Sequence, residues 1–203
     1  MKKKILFYGD SNTYGYDGNQ RYGYRFPESV RWTNQLQKLV KDSWRVVADG
    51  ECGREIPASG YGMQPMDQTI LNCIPLDIFA IMLGSNDLLN MPAPDPDFVA
   101  GKMERLLCHV KKFCDMPVGP KKILLIAPPA IQEKGPYGAY AQASLKLAER
   151  YDELAEKMDV YFADASSLQL TMAADGVHME EAGHREFAGR MAQVLQNLLL
   201  DLA

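Results

Sequence analysis

The sequence predicts an α/β fold, a three-layer α/β/α sandwich around a five-stranded parallel sheet with strand order 2-1-3-4-5. Short apolar runs rich in β-branched residues alternate with longer segments in which apolar residues recur at helical spacing. This alternation is typical of βα units that wind around a parallel sheet. The proline-rich joins at residues 91–96 and 117–120 are too short to separate two domains. We therefore expect one domain over residues 1–203.

The elements follow from local patterns. Short apolar runs, each followed by turn residues or a helical pattern, predict strands at residues 4–8, 44–48, 77–83, 121–126 and 159–162. Longer periodic segments predict helices at residues 29–41, 66–74, 97–113, 139–158 and 180–202. In the last segment, Phe187, Met191 and Leu195 recur on one face, which we expect to pack against the sheet.

Composition and charge exclude several classes of protein. The chain carries 22 Lys and Arg against 26 Asp and Glu, a net charge of −4, so we expect no nucleic-acid partner. No apolar stretch approaches a membrane span, and the apolar run at residues 5–8 is too short for a signal peptide. The cysteines form no CxxC pair and predict a reduced, cytoplasmic protein; they are Cys52, Cys73, Cys108 and Cys114.

Polar clusters follow the first three predicted strands. They are Gly-Asp-Ser-Asn at residues 9–12, Gly-Glu-Cys-Gly-Arg at 50–54 and Gly-Ser-Asn-Asp at 84–87, and a fourth cluster, Asp-Gly-Val-His, lies at 175–178 near the last helix. Ligands of open parallel sheets bind beyond the carboxyl ends of the strands. We therefore expect these clusters to meet in one site.

Ser11 is a candidate nucleophile that needs a base. A neutral imidazole, with an ordinary pKa near ~6.5, suits that task at neutral pH. His109 and His184 fall within predicted helices, where structural roles are the simpler interpretation. His178 follows Asp175 by three residues, and a short turn at this spacing brings a carboxylate to the ring. Alone, that spacing is more often a helix cap.

Acyl transfer also needs donors aimed at the oxyanion. The Gly53 backbone N–H is open to close approach because glycine has no Cβ, and the Asn86 side chain offers two N–H donors. Together, Ser11, Gly53 and Asn86 follow three strands that are neighbours in the predicted strand order. Gly53 and Asn86 also have plain interpretations as turn or cap residues.

The four clusters, in this order and at these places, resemble the four sequence blocks of the SGNH hydrolases, also called GDSL esterases. The match spans nearly the whole chain. Val-Arg-Trp-Thr at residues 30–33 and Met-Leu-Gly-Ser-Asn-Asp at 82–87 resemble the arylesterase and acyltransferase branch of that family. Asn12 stands where the family usually has Leu, and residues 51–55 are more charged than is usual.

The resemblance implies a serine esterase that acts on small carboxylic esters, or transfers their acyl group, through an acyl-enzyme. It implies Ser11 as nucleophile, His178 as base and Asp175 as the residue that orients the base. It further implies an oxyanion hole formed by the Ser11 and Gly53 backbone N–H groups and the Asn86 side chain. We expect neither cofactor nor metal; the six-residue spacing of His178 and His184 does not fit helical zinc ligands.

Two other functions are compatible with the residues alone. A flavodoxin-like sheet with hydroxyls and amides after its first strand suits a flavin phosphate, although it gives no reason for Asp175 and His178. A noncatalytic binding or assembly domain is the second. Residues 14–32 form a long aromatic loop, whose rings either plug the sandwich, bury at a subunit contact or contact substrate. We expect a homo-oligomer.

Overall fold

Five parallel strands form one sheet in the computed structural model, which describes residues 2–113 and 122–202. The strands are β1 (Lys3–Gly9), β2 (Trp44–Gly50), β3 (Ile78–Met82), β4 (Ile123–Ala127) and β5 (Tyr161–Asp164). Their order is β2-β1-β3-β4-β5, and all neighbours pair in parallel. The predicted topology is therefore confirmed. Cys114, the join at 117–120 and the predicted strand start at residue 121 lie outside the described residues.

Among the described residues, six helices connect the strands and a seventh follows β5. They are α1 (Ser11–Tyr14), α2 (Trp32–Leu39), α3 (Gly60–Cys73), α4 (Ser85–Leu89), α5 (Pro96–Phe113), α6 (Ala141–Met158) and α7 (Glu181–Asp201), with a 3₁₀ turn at Gly138–Tyr140. All five predicted helices are present. Helix α3 begins before the predicted start at residue 66, because the Ser59 hydroxyl accepts the Gly62 N–H at 3.2 Å and caps it.

Alternate residues of each strand face two separate apolar layers. In β3, Phe79 and Ile81 face the layer under α3, α5 and α6, whereas Ile78 and Ala80 face the layer under α2 and α7. All four side chains are fully buried. The helices thus cover both faces of the sheet, and the three-layer α/β/α prediction is confirmed.

The aromatic loop is divided between core and surface. The Trp32 ring packs edge-on against Phe7 at 4.9 Å and Phe187 at 4.8 Å between centroids, so it fastens the start of α2 to the sheet and α7. Tyr22 and Tyr24 are 53% and 72% exposed. Part of the loop therefore plugs the sandwich, and part is exposed at the surface.

None of the helices in residues 2–113 and 122–202 combines the length and the apolar composition of a membrane span.

His184 joins α7 to α2 inside the core. It is fully buried, its Nδ1 accepts the Trp32 N–H at 3.3 Å, and its ring meets Phe26 edge-on. Burial, with a smaller contribution from His178, lowers the pKa of His184 to about 4. The ring is therefore neutral and acts as an acceptor in the folded protein at neutral pH.

We expect this buried histidine to make stability fall in acid. Unfolded His184 takes up a proton below its ordinary pKa of 6.5, but the folded ring does so only near pH 4. Its contribution is complete above pH 6.5 and is lost as pH falls to 4. H184Q keeps an acceptor without titrating. Urea unfolding should show the stability of wild type relative to H184Q falling by about 3 kcal/mol between pH 7 and pH 4. A constant difference would contradict this.

Candidate active site

A tight turn after β1 places Ser11 at the carboxyl edge of the sheet. Asp10 caps α1 by accepting the Asn12 N–H at 3.0 Å. A Cβ at Gly9 would lie only 2.2 Å from Thr13 Oγ1, so glycine allows the strand to meet the helix closely. Gly15 ends α1 at a φ of 84°. Ser11 is therefore the first residue of a short, capped helix.

Ser11, His178 and Asp175 form one chain of hydrogen bonds. The Ser11 hydroxyl and His178 Nε2 are 2.9 Å apart, and His178 Nδ1 lies 2.7 Å from Asp175 Oδ2. Because a carboxylate only accepts, the proton on Nδ1 points to Asp175 and leaves Nε2 as an acceptor for the hydroxyl. The structure thus brings together the three side chains that the sequence singled out.

Asp175 also shapes the loop that carries His178. Its Oδ1 accepts the N–H groups of Val177 at 2.9 Å and His178 at 3.0 Å, while Gly176 takes a φ of 73°. Burial would raise the pKa of Asp175, but bonds from the His178 ring and these N–H groups lower it to about 2. Asp175 is therefore ionised at neutral pH. The histidine lies in this loop, ahead of α7, which begins at Glu181.

The aromatic loop forms one wall beside this histidine. The Tyr16 ring packs against the His178 ring at 4.6 Å between centroids. A Cβ at Gly18 would come within 3.0 Å of Asp175 Oδ2 and 3.2 Å of His178 Cβ. Sequence reasoning did not single out Gly18. The signal for Tyr16 was only its place in the aromatic loop.

The candidate oxyanion donors lie in the segments that follow β2, β1 and β3, three neighbouring strands of the sheet. Gly53 follows β2 at a φ of 78°, and an added Cβ there would meet no atom within 4 Å. Asn86 follows β3 in α4, and its Nδ2 donates to the Arg54 carbonyl at 3.1 Å. One hydrogen of that amide holds the 53–54 loop, and the second is left for another acceptor. Ser11 lies between the segments that carry Gly53 and Asn86, because β1 lies between β2 and β3.

Arg54 fastens the Gly53 loop to the sheet. Its guanidinium donates to the Gly9 carbonyl at 2.8 Å and the Asp49 carbonyl at 2.7 Å, and it stacks over the Tyr8 ring at 4.0 Å. These contacts join the ends of β1 and β2. Sequence reasoning treated Arg54 only as an unusual charge, because its partners lie on two strands.

A buried ion pair holds the other side of the same loop. Asp87 is 2% exposed; its Oδ2 accepts the Ile56 N–H at 3.0 Å, and its Oδ1 pairs with Lys102 of α5. Burial opposes the charge of Lys102, but pairing with Asp87 outweighs it and raises the lysine pKa. The pair ties α4, α5 and the segment after Gly53 together. Lys102 had no signal in the sequence beyond its place in a helix.

Asp10 is a second buried acid at the site. It is 2% exposed, and burial raises its pKa to about 6; the Asn12 N–H, His178 and Arg54 offset only part of this. Above about pH 6 the carboxylate is charged and holds the first turn of the helix that begins at Ser11.

Comparison with known proteins finds one family. The GDSL-like lipase/acylhydrolase family model matches residues 7–186. The GDSL lipase Rv0518 of Mycobacterium tuberculosis is 28% identical over 200 residues, which cover 94% of this chain and 80% of that protein. Among solved structures, a carbohydrate acetylesterase family member from Sinorhizobium meliloti has a TM-score of 0.83 at 28% identity, covering 97% of this chain and 99% of the other. An aryl esterase of M. smegmatis has a TM-score of 0.80 at 28% identity, with the same coverage.

The matched range includes every polar cluster at the carboxyl edge, from residue 9 to residue 178. The fold of these similar structures is the three-layer sandwich described above. The resemblance inferred from the sequence is therefore confirmed. This chain belongs to the GDSL-like lipase/acylhydrolase family and is a carboxylic ester hydrolase.

Proposed function

We propose that this protein is a serine esterase that hydrolyses small carboxylic esters through an acyl-enzyme on Ser11. The observation that carries the proposal is the hydrogen-bonded chain from the Ser11 hydroxyl through His178 to Asp175. Nucleophilic catalysis requires a hydroxyl donor, an imidazole acceptor and an ionised carboxylate in this order, and the hydrogen-bonded chain supports that arrangement.

In the first half-reaction, Ser11 Oγ attacks the ester carbonyl carbon while His178 Nε2 takes the hydroxyl proton. Asp175 holds the proton on Nδ1 and stabilises the imidazolium that forms. The low pKa of Asp175, about 2, keeps that counter-charge in place at neutral pH. Collapse of the tetrahedral intermediate breaks the C–O bond, and His178 gives its proton to the departing alcohol.

The oxyanion of that intermediate requires preorganised donors. We assign them to the Ser11 and Gly53 backbone N–H groups and to the second amide hydrogen of Asn86. The Ser11 N–H is at the start of α1, where helical N–H groups have no partner within the helix. Asn86 is held by its bond to the Arg54 carbonyl, so its free hydrogen costs little to orient.

In the second half-reaction, water gives a proton to His178 and attacks the acyl carbon. The bond from that carbon to Ser11 Oγ then breaks, His178 returns the proton to Oγ, and the acid leaves. An alcohol in place of water would yield a new ester. The similarity to an aryl esterase and to a carbohydrate acetylesterase makes aryl acetates and acetylated sugars the first substrates to test. A homo-oligomeric, cytoplasmic protein stays a prediction from the sequence.

Hydrolysis of p-nitrophenyl esters from acetate to decanoate tests the proposal. We expect wild type to hydrolyse the short esters and S11A to lose more than ~10⁴-fold in kcat, because the variant lacks the hydroxyl that forms the acyl-enzyme. S59A removes an exposed hydroxyl that caps α3 and should keep wild-type kcat. Equal rates for S11A and wild type would refute the assignment of Ser11.

A second prediction concerns the oxyanion donor Asn86. N86A should lower kcat by ~10² to 10³, about 3 to 4 kcal/mol of lost transition-state stabilisation, with a smaller change in KM. The matched control is N90A, at the residue that directly follows α4, where the amide donates to the exposed Glu55 at 2.7 Å; it should stay within about twofold of wild type. Similar kcat values for N86A and wild type would remove Asn86 from the oxyanion hole.

A further inference from the structure

The Asn12 side chain holds both neighbours of His178 in the chain. It is 4% exposed. Its Nδ2 donates to the Val177 carbonyl at 3.0 Å, and its Oδ1 accepts the Met179 N–H at 2.9 Å. The amide thus pairs one donor and one acceptor with backbone groups that flank His178 on either side.

The other end of this contact is equally fixed. Asn12 directly follows Ser11 in α1, its N–H is held by Asp10 at 3.0 Å, and its carbonyl accepts the Trp32 indole N–H at 2.9 Å. The Trp32 ring is fully buried. The Asn12 backbone is therefore fixed next to Ser11, and its side chain binds the residues on either side of His178.

Few hydrogen bonds join α1 to the histidine loop, residues 173–179. Bonds from Asp175 and from the Ala173 N–H shape the histidine loop internally, but they do not place it relative to α1. Among the described residues, the hydrogen bonds between α1 and residues 173–179 are the two of Asn12 and the Ser11 to His178 bond itself. Apart from the Ser11 to His178 bond, Asn12 thus supplies both direct hydrogen bonds between α1 and residues 173–179 in the part of the chain that the structure describes.

We propose that Asn12 is a positioning residue for the reaction at Ser11, acting by fixing His178 against the nucleophile. The inference rests on the proposed function. The SGNH family usually has Leu at this position, and an apolar side chain has no group to pair with the Val177 carbonyl or the Met179 N–H. In this chain a bidentate amide sets the loop position instead, and a displacement of about 1 Å can cost ~10²-fold in rate.

N12L and N12S test this role. N12L keeps the number and branching of the side-chain heavy atoms but removes both hydrogen bonds, and N12S is a smaller polar variant that serves if N12L folds poorly. With p-nitrophenyl acetate, below the melting temperature of each variant, we expect kcat to fall ~10 to 10²-fold. KM should change less than about threefold, because Asn12 acts on the base and not on substrate.

A double-mutant cycle separates this role from a purely structural one. If Asn12 acts through His178, N12L should cost less than about twofold in the H178A background, although it costs ~10 to 10²-fold in wild type. The control is N19A, which removes an amide that donates to Glu180 Oε1 at 2.7 Å, beyond the residues that flank His178. It should keep kcat within about twofold.

The outcomes are distinct from those of the proposed function. If S11A is inactive but N12L and N12S keep kcat within about threefold of wild type, the role of Asn12 is wrong and the serine mechanism stands. An equal loss from N12L in wild type and in H178A also overturns it, because Asn12 then acts independently of the histidine. If S11A is as active as wild type, the proposed function itself fails.

Discussion

The candidate active site depends on one contact, the hydrogen bond between Ser11 Oγ and His178 Nε2. Its two residues are 167 positions apart, so the whole sandwich must fold before they meet. A parallel sheet makes this possible, because it gathers the ends of all its strands at one edge. The site is therefore a product of topology first and of local sequence second. The strand order β2-β1-β3-β4-β5 puts the serine strand between the two loops that carry Gly53 and Asn86.

Buried polar contacts then fix the positions of the loops and helices at this edge of the sheet relative to one another. Arg54 joins its loop to β1, Asp87 and Lys102 join the same loop to α4 and α5, and Asn12 joins α1 to the histidine loop. A buried polar group is costly unless it is paired, so any displacement of these loops would break several bonds at once. In the proposed mechanism, such a frame holds the oxyanion donors and the base ready before substrate binds, which is the main source of electrostatic catalysis.

Sequence reasoning predicted the parts that local pattern controls. Strand periodicity predicted the sheet, the residue types after the first strand predicted Ser11, and the three-residue spacing ahead of the last helix predicted Asp175 and His178. It missed α1 and α4, because helices of four and five residues are too short to show periodicity. It also missed the bonds of Asn12 and Lys102, since their partners lie up to 167 residues away. In the sequence, Asn12 stands out only as a departure from the family motif, and Lys102 is an ordinary lysine of a predicted helix.

We propose that His178 activates Ser11. Covalent labelling by an organophosphate such as paraoxon, followed by peptide mass spectrometry, tests this activation without reference to a natural substrate. We expect a single diethylphosphoryl group, on Ser11, that forms at least ~10²-fold more slowly in H178A, because the serine then has no base. Labelling of another residue, or equal rates in wild type and H178A, would contradict it.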